Sequence, residues 1–165
     1  MKKFLLGAMV LLSFTMLFAK TYLDGVYHNS RFGFAISYPK SIFTQKEYPT
    51  NGDGVWLRDK KGESELTVGA MFEIDDRNIK ELFYDSLDYW KSKKGIKVTY
   101  KVQKANWFVI SGYDYSKDKI FYNKEYLINS IRSGFTLTYP IENRKKLDNL
   151  TGQIAKSFKP SSKEY

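Results

Sequence analysis

The chain contains no cysteine and only one histidine among its 165 residues. Without cysteine it forms neither disulfides nor thiolate metal sites, so packing must stabilise its folded state. One histidine excludes a two-histidine metal centre. A Ser-His-Asp triad would have to use His28, which lies in a polar string and more simply ends a strand. No G-x-S-x-G or phosphate-loop motif occurs. We therefore expect a protein that is not an enzyme and has no catalytic residue, metal site or cofactor.

Long apolar runs are also scarce, and the one present is at the amino terminus. Residues 4–18 are free of charge and follow Lys2 and Lys3, which is the layout of a secretory signal peptide. The run is shorter than the about 20 residues that a membrane span needs. We predict cleavage near Ala19, with residues 1–19 as signal peptide and a periplasmic or secreted product. An uncleaved anchor is the alternative, because Leu17 is larger than the usual residue at that position.

The rest of the chain has the size and charge of one basic domain. Removing 19 residues from 165 leaves 146, enough for a single core, which we place at residues 20–160 with a frayed tail at 161–165. The 27 basic and 18 acidic residues give a net charge of +9. Export removes nucleic acid as a partner and leaves anionic headgroups at a membrane surface, acidic envelope polymers or an acidic protein. Charge for general solubility is the simpler interpretation.

Hydrophobic periodicity predicts an α+β domain with one central antiparallel sheet of about six to seven strands flanked by helices. A helical stripe runs through residues 78–93, with Asp75 and Asp76 placed to cap it, and a second helix occupies about 141–158 after Pro140. Glu73 joins those two aspartates in an acidic group that could hold calcium or act as a carboxylate pair, but capping is favoured. Period-two or continuous apolar patterns predict strands at residues 34–38, 54–58, 65–72, 96–103, 107–113, 119–128 and 135–139.

The loop NGDGVW, residues 51–56, raises the question of a ligand site. An EF-hand loop starting at Asn51 would need an oxygen ligand, a glycine and an acid where Val55, Trp56 and Gly62 stand, so that site is excluded. Glycines that tolerate positive φ and side chains that bond nearby backbone predict a turn. A turn can also rim a pocket, so Asn51 and Asp53 remain binding candidates.

A basic and aromatic surface is the other candidate. Tyr100, Lys101, Tyr113, Tyr122 and Lys124 lie on predicted strands, and tyrosines beside lysines can stack on sugars or hold an anionic headgroup. The simpler interpretation is that these tyrosines are ordinary sheet residues and that the lysines protect strand edges. The sequence does not decide whether they converge.

Several short motifs resemble a known fold. They are residues 31–39 (RFGFAISYP), 51–54 (NGDG), 62–68 (GESELTV), Ser111-Gly112 and 135–140 (FTLTYP), with Ser157-Phe158 ending the last helix. They look like a group of exported bacterial proteins with the PsbP-like fold, named for the extrinsic photosystem II protein and shared with the Ran-interacting Mog proteins. The resemblance implies an α/β/α sandwich and binding or assembly roles, and it carries no catalytic residue.

From these observations we expect a non-catalytic protein that binds another protein of the cell envelope or acts as its accessory. A carrier of an amphipathic or anionic small ligand is the alternative, and a hydrolase of envelope polymers is the weakest one. Peripheral membrane contact and the oligomeric state stay open.

Overall fold

The computed structural model describes residues 22–164, so the predicted signal peptide lies outside the described residues. Within this range the order is five strands, a helix, four strands and a helix; the seven predicted strands and both helices are present, and the strands Gly25–His28 and Gln45–Glu47 are additional. The elements are β1 Gly25–His28, β2 Ala35–Tyr38, β3 Gln45–Glu47, β4 Gly54–Arg58, β5 Glu65–Phe72, α1 Ile79–Ser92, β6 Ile96–Gln103, β7 Trp107–Asp114, β8 Lys119–Ile128, β9 Ile131–Pro140 and α2 Arg144–Ser157. His28 ends β1, as predicted.

Seven strands form one antiparallel sheet in the spatial order β3-β4-β5-β9-β8-β7-β6, while β1 and β2 form a separate hairpin. Because successive side chains alternate between faces, the register assigns each residue to one side of the sheet. Phe135 and Leu137 point towards α2 and the β1–β2 hairpin, whereas Gly134 and Thr136 point to the side on which α1 lies. We call these sides the α2 face and the α1 face. The predicted α+β sheet flanked by helices is confirmed.

Helix α1 starts at a capping box. The Asn78 side chain accepts hydrogen bonds from the backbone N–H groups of Lys80 and Glu81, at 3.0 and 3.1 Å, and Glu81 accepts one from the Asn78 N–H at 2.8 Å. The prediction that Asp75 and Asp76 cap the helix is therefore wrong. Both precede the cap, and Asp76 adopts a φ of 52°.

Helix α1 packs on only part of its face of the sheet. Its predicted stripe is buried against Phe108 and Ile110 of β7 and Phe121 of β8, and the Trp90 indole stacks on Phe121 with ring centroids 4.0 Å apart. Helix α1 thus packs on β6, β7 and β8. It does not pack directly on the α1 face of β4, β5 and β9, and a cavity separates it from Thr67 of β5 and Thr136 of β9.

Helix α2 and the β1–β2 hairpin pack on the α2 face. Leu147, Leu150 and Ile154 of α2 join the largest apolar cluster, which also contains Phe34 and Ile36 from the β1–β2 region. The predicted second helix begins as a 3-10 turn, Ile141–Asn143, before α2 proper. Neither helix in the described part of the chain is long and apolar enough to cross a membrane.

A frayed tail is predicted for residues 161–165, but residues 159–163 make specific contacts with the rest of the domain. Lys159 pairs with Ala35 as an antiparallel bridge, Ser161 is fully buried and donates a hydrogen bond to the Phe32 carbonyl, and the Lys163 ammonium donates to the Ser30 carbonyl at 2.6 Å. Residues 159–163 are anchored because they run alongside the β1–β2 hairpin and contact the loop that joins its two strands.

Candidate ligand-binding groove on the α1 face

The uncovered part of the α1 face forms a groove. Two adjoining cavities of about 510 Å³ each share the side chains of Thr67, Asn123, Glu125, Arg132 and Thr136. One cavity extends over β4 to the loop before it, and the other extends beneath α1. A pocket of several hundred Å³ with convergent polar groups is the usual form of a binding site.

Three glycines on adjacent strands make the floor of this groove. Gly54 of β4 pairs with Gly69 of β5, which pairs with Gly134 of β9, and Glu125 of β8 continues the row. A β-carbon at Gly54 would lie 2.0 Å from the Val68 carbonyl oxygen, so the backbone there requires glycine. At Gly69 the nearest atom would be 3.6 Å away, an ordinary contact. The backbone therefore does not require glycine at position 69, and the space above Gly69 is open.

A hydrogen-bonded polar chain forms the wall on β8 and β9. The Thr136 hydroxyl donates to the Asn123 carbonyl oxygen at 2.8 Å, and the Asn123 amide donates to Glu125 at 2.9 Å. Arg132 donates through Nε to the other oxygen of Glu125. Because Asn123 is 5% exposed and is satisfied by its neighbours, the wall holds a defined geometry. The terminal nitrogens of Arg132 make no hydrogen bond to another described residue.

Trp56 stands at the β4 side of the groove, next to Thr67 across the strand pair. The half-buried indole offers an apolar ring beside hydroxyl and amide groups. Next to it, the 51–54 segment is a turn, as predicted: Gly52 has a φ of 72°, and its carbonyl accepts a hydrogen bond from Asn29 at 2.8 Å. Arg31 clamps the same turn by donating to Asp53 at 2.6 Å. The turn thus rims the groove, and Asn51 and Asp53 are part of its lining.

The charges in the groove are balanced by ion pairs. Its lining contains three acids, and each is held by an arginine. The pairs are Asp53–Arg31, Glu125–Arg132 and Asp85–Arg77. A paired carboxylate is poorly placed to abstract or deliver a proton, and a charged ligand would gain little from a neutral site. The groove is suited to an uncharged polar ligand with an apolar part for Trp56.

A smaller cavity of about 330 Å³ lies on the other side of the sheet, between α2 and strands β6 to β9. Tyr113 and Tyr122 line it, together with the Tyr139–Asp148–Arg144 group, in which Tyr139 donates to Asp148 at 2.7 Å. Burial raises the pKa of Tyr122 to about 12. The Tyr113 and Tyr122 hydroxyls have no hydrogen-bond partner among the described residues. We call this cavity the tyrosine pocket.

The remaining predicted candidates lie elsewhere. Tyr100 is 55% exposed on edge strand β6, and Lys101 points to the α1 face of that edge. Lys124 is occupied structurally, because its ammonium donates to the Ala155 carbonyl at 3.3 Å and lies 5.1 Å from the Trp107 ring centre. The basic and aromatic residues therefore do not converge on one site: Tyr113 and Tyr122 share a pocket, and Asn51 and Asp53 share the groove.

Sequence reasoning missed most of the groove, including Gly69, Asn123, Glu125 and Arg132. Two features of the sequence indicated the groove. A glycine in the middle of a predicted strand often marks a close approach of another backbone or ligand. Asn123 and Glu125 also interrupt the apolar pattern of β8, which is a central strand.

No protein-family model and no curated protein sequence matches the chain. Among solved structures, the solution structure of cyanobacterial PsbP (CyanoP) from Synechocystis sp. PCC 6803 is similar, with a TM-score of 0.61. The match covers 82% of this chain and 91% of that protein at 13% sequence identity. An identity this low shows the architecture alone, and it agrees with the fold that the sequence motifs resemble. This chain has a PsbP-like fold.

Proposed function

We propose that this chain is a non-catalytic accessory protein that binds an extended segment of a partner polypeptide in the groove on the α1 face. The observation that carries the proposal is the open glycine floor at Gly69 beside Trp56 and the polar wall. A floor without side chains lets another backbone approach closely. Ion pairing of every groove acid supports binding over catalysis.

The dimensions of the groove suit a short extended peptide. From Gly54 to Glu125 the floor crosses three strand spacings, about 14 Å in all. An extended chain rises about 3.3–3.6 Å per residue, so roughly four residues span the floor. Each peptide unit carries one donor and one acceptor, which hydroxyl, amide and guanidinium groups in the wall can satisfy.

Action outside the cytoplasm is part of the proposal. It is supported by the charge and apolar pattern of residues 1–19. A partner in the cell envelope follows from that location.

The test is native mass spectrometry of the protein purified gently from its own cells after mild crosslinking. Gly69→Val places a branched side chain on the groove floor, and Thr138→Val is the matched control, because Thr138 lies on the same face of β9 outside the groove lining. We expect a partner protein on the wild type and on Thr138→Val but not on Gly69→Val. A partner that Gly69→Val retains, or no partner at all, contradicts the proposal.

A second candidate function, carriage of a small amphipathic ligand, is favoured by the tyrosine pocket. Two phenol hydroxyls without a protein partner in the described residues line a cavity with aromatic walls and Arg144. In the same experiment, a small bound mass that survives Gly69→Val and is lost in Tyr122→Leu would assign the carrier function instead.

A further inference from the structure

The excess positive charge of the described chain is concentrated in one segment. Residues 22–164 contain 24 lysines and arginines and 18 acids. Residues 89–113 contain six of those lysines and no acid, so the other described residues balance at 18 of each sign. The six are Lys91, Lys93, Lys94, Lys97, Lys101 and Lys104.

This segment forms an edge of the molecule. It comprises the end of α1, the edge strand β6, the following turn and most of β7. All six lysines are exposed, and none forms an ion pair with another described residue. Lys97 and Lys104 are seven residues apart, which corresponds to about 23 Å along the strand. We call this surface the lysine edge.

Local structural roles account for some of these lysines but not for the pattern. Lysines on an edge strand hinder pairing with other chains, which explains Lys97 and Lys101. A cation in the last helical turn interacts favourably with the helix dipole, which explains Lys91. Neither reason requires lysines at 94 and 104 or the absence of any acid over 25 residues. Concentrated like charge opposes the compact state, so an external anion is the simplest compensation.

We propose that the lysine edge docks the protein on an anionic lipid bilayer. No lysine of the edge lines the groove or the tyrosine pocket, so the edge does not enclose a small anion. All six cations are lysines, which act as flexible point charges, whereas arginine is the residue that protein interfaces favour and lysine is depleted there. A diffuse array of point charges fits a headgroup surface better than a folded partner.

Exposed tyrosines accompany the lysines. Tyr89 is 58% exposed and Tyr100 is 55% exposed. Tyr115, 56% exposed, is tied to the same edge because its N–H donates to the Gly95 carbonyl at 2.9 Å. Tyrosine is enriched at the headgroup level of membranes, where its ring and hydroxyl meet apolar and wet surroundings.

The experiment measures how the full-length chain partitions onto vesicles of phosphatidylcholine alone and of phosphatidylcholine with about one third phosphatidylglycerol. The apolar residues 4–18 could bind either vesicle, so the ratio of the two partition coefficients isolates the contribution of charge. The edge variant carries Lys97→Gln, Lys101→Gln and Lys104→Gln. The control variant has the same change in net charge on exposed lysines elsewhere, through Lys60→Gln, Lys61→Gln and Lys80→Gln.

We expect the wild type to prefer the anionic vesicles and to lose that preference near 1 M salt, where the Debye length is about 3 Å. Each lysine near an anionic surface contributes roughly a fivefold factor, so the edge variant should lose about 100-fold of the preference. The control variant should lose less than about threefold.

Three results would overturn the proposal. The first is a wild type without preference for anionic vesicles, and the second is an equal loss in the edge and control variants. The third is edge-dependent capture of an acidic protein by a chain that shows no vesicle preference, which would make the edge a protein interface. Because none of the six lysines lines the groove, failure here leaves the proposed function untouched.

Discussion

Two glycines that face each other in the sheet should respond oppositely to the same substitution. Gly69 and Gly134 are directly paired on the α1 face. A β-carbon at Gly134 would lie 2.3 Å from the Lys124 carbonyl oxygen and 3.0 Å from the Glu125 Cα, both backbone atoms that cannot move aside cheaply. At Gly69 the closest approach is 3.6 Å. We expect Gly134→Ala to destabilise the protein by about 1–3 kcal/mol through overpacking. We expect Gly69→Ala to stabilise it by about 0.5–1 kcal/mol through loss of chain entropy in the unfolded state.

Urea unfolding of both variants measures these free energies, and thermal unfolding should move by about 2–4 °C per kcal/mol for a domain of this size. The comparison is between the two glycines themselves, because they are directly paired on neighbouring strands. Equal effects at Gly69 and Gly134 would refute the reasoning. So would a loss of stability in Gly69→Ala, since it would mean that the floor of the groove is closed in solution and glycine is required there for packing.

Four further outcomes are expected. Asn78→Ala should cost about 1 kcal/mol of unfolding free energy in urea, because it removes the acceptor of the capping box. Glu73→Gln should destabilise the protein by about 1–3 kcal/mol in the same assay, since a carboxylate that is 3% exposed would lose its charge-assisted bonds to an arginine. Burial would raise the pKa of Asp59, but hydrogen bonds from Ser64 and from backbone amides outweigh it and lower that pKa. The stability advantage of the wild type over Asp59→Asn should therefore be complete above about pH 4–5 and should shrink as the pH falls through the lowered pKa, as unfolding at pH 7 and pH 2 would show. Intact mass measurement of the purified protein should give a mature chain that begins at Lys20, and a mass that includes residues 1–19 would contradict the predicted cleavage.

Elements whose pattern is local were predictable. The α1 stripe and the alternation in β6 arise from neighbours along the chain, and their predicted bounds lie within one residue of the structure. The cap of α1 was also readable, because Asn78 is followed three residues later by Glu81, yet Asp75 and Asp76 offered a competing signal. Three candidate caps lie within four residues, and the backbone path decides which of them meets the helix.

Elements that depend on a partner strand were harder to predict. Strand β9 starts at Ile131, four residues before the predicted start, because pairing with β8 and β5 holds Ser133 and Gly134 extended despite their low strand propensity. Strand β3 has three exposed residues and no apolar alternation; it exists because it pairs with β4. Such strands are specified by a neighbour that is distant in sequence.

The sequence by itself determined the class of fold, the order of the two helices and the apolar strands, and the turn at residues 51–54, because helix and strand periods and glycine conformations are local properties. Only the tertiary structure decided where binding could occur. The register aligned three glycines from separate strands, α1 packed on β6, β7 and β8 but not directly on β4, β5 and β9, and the sheet order placed β6 at an edge. Each of these depends on which strands lie side by side, and that is settled by packing across the whole domain, which no short stretch of the chain encodes.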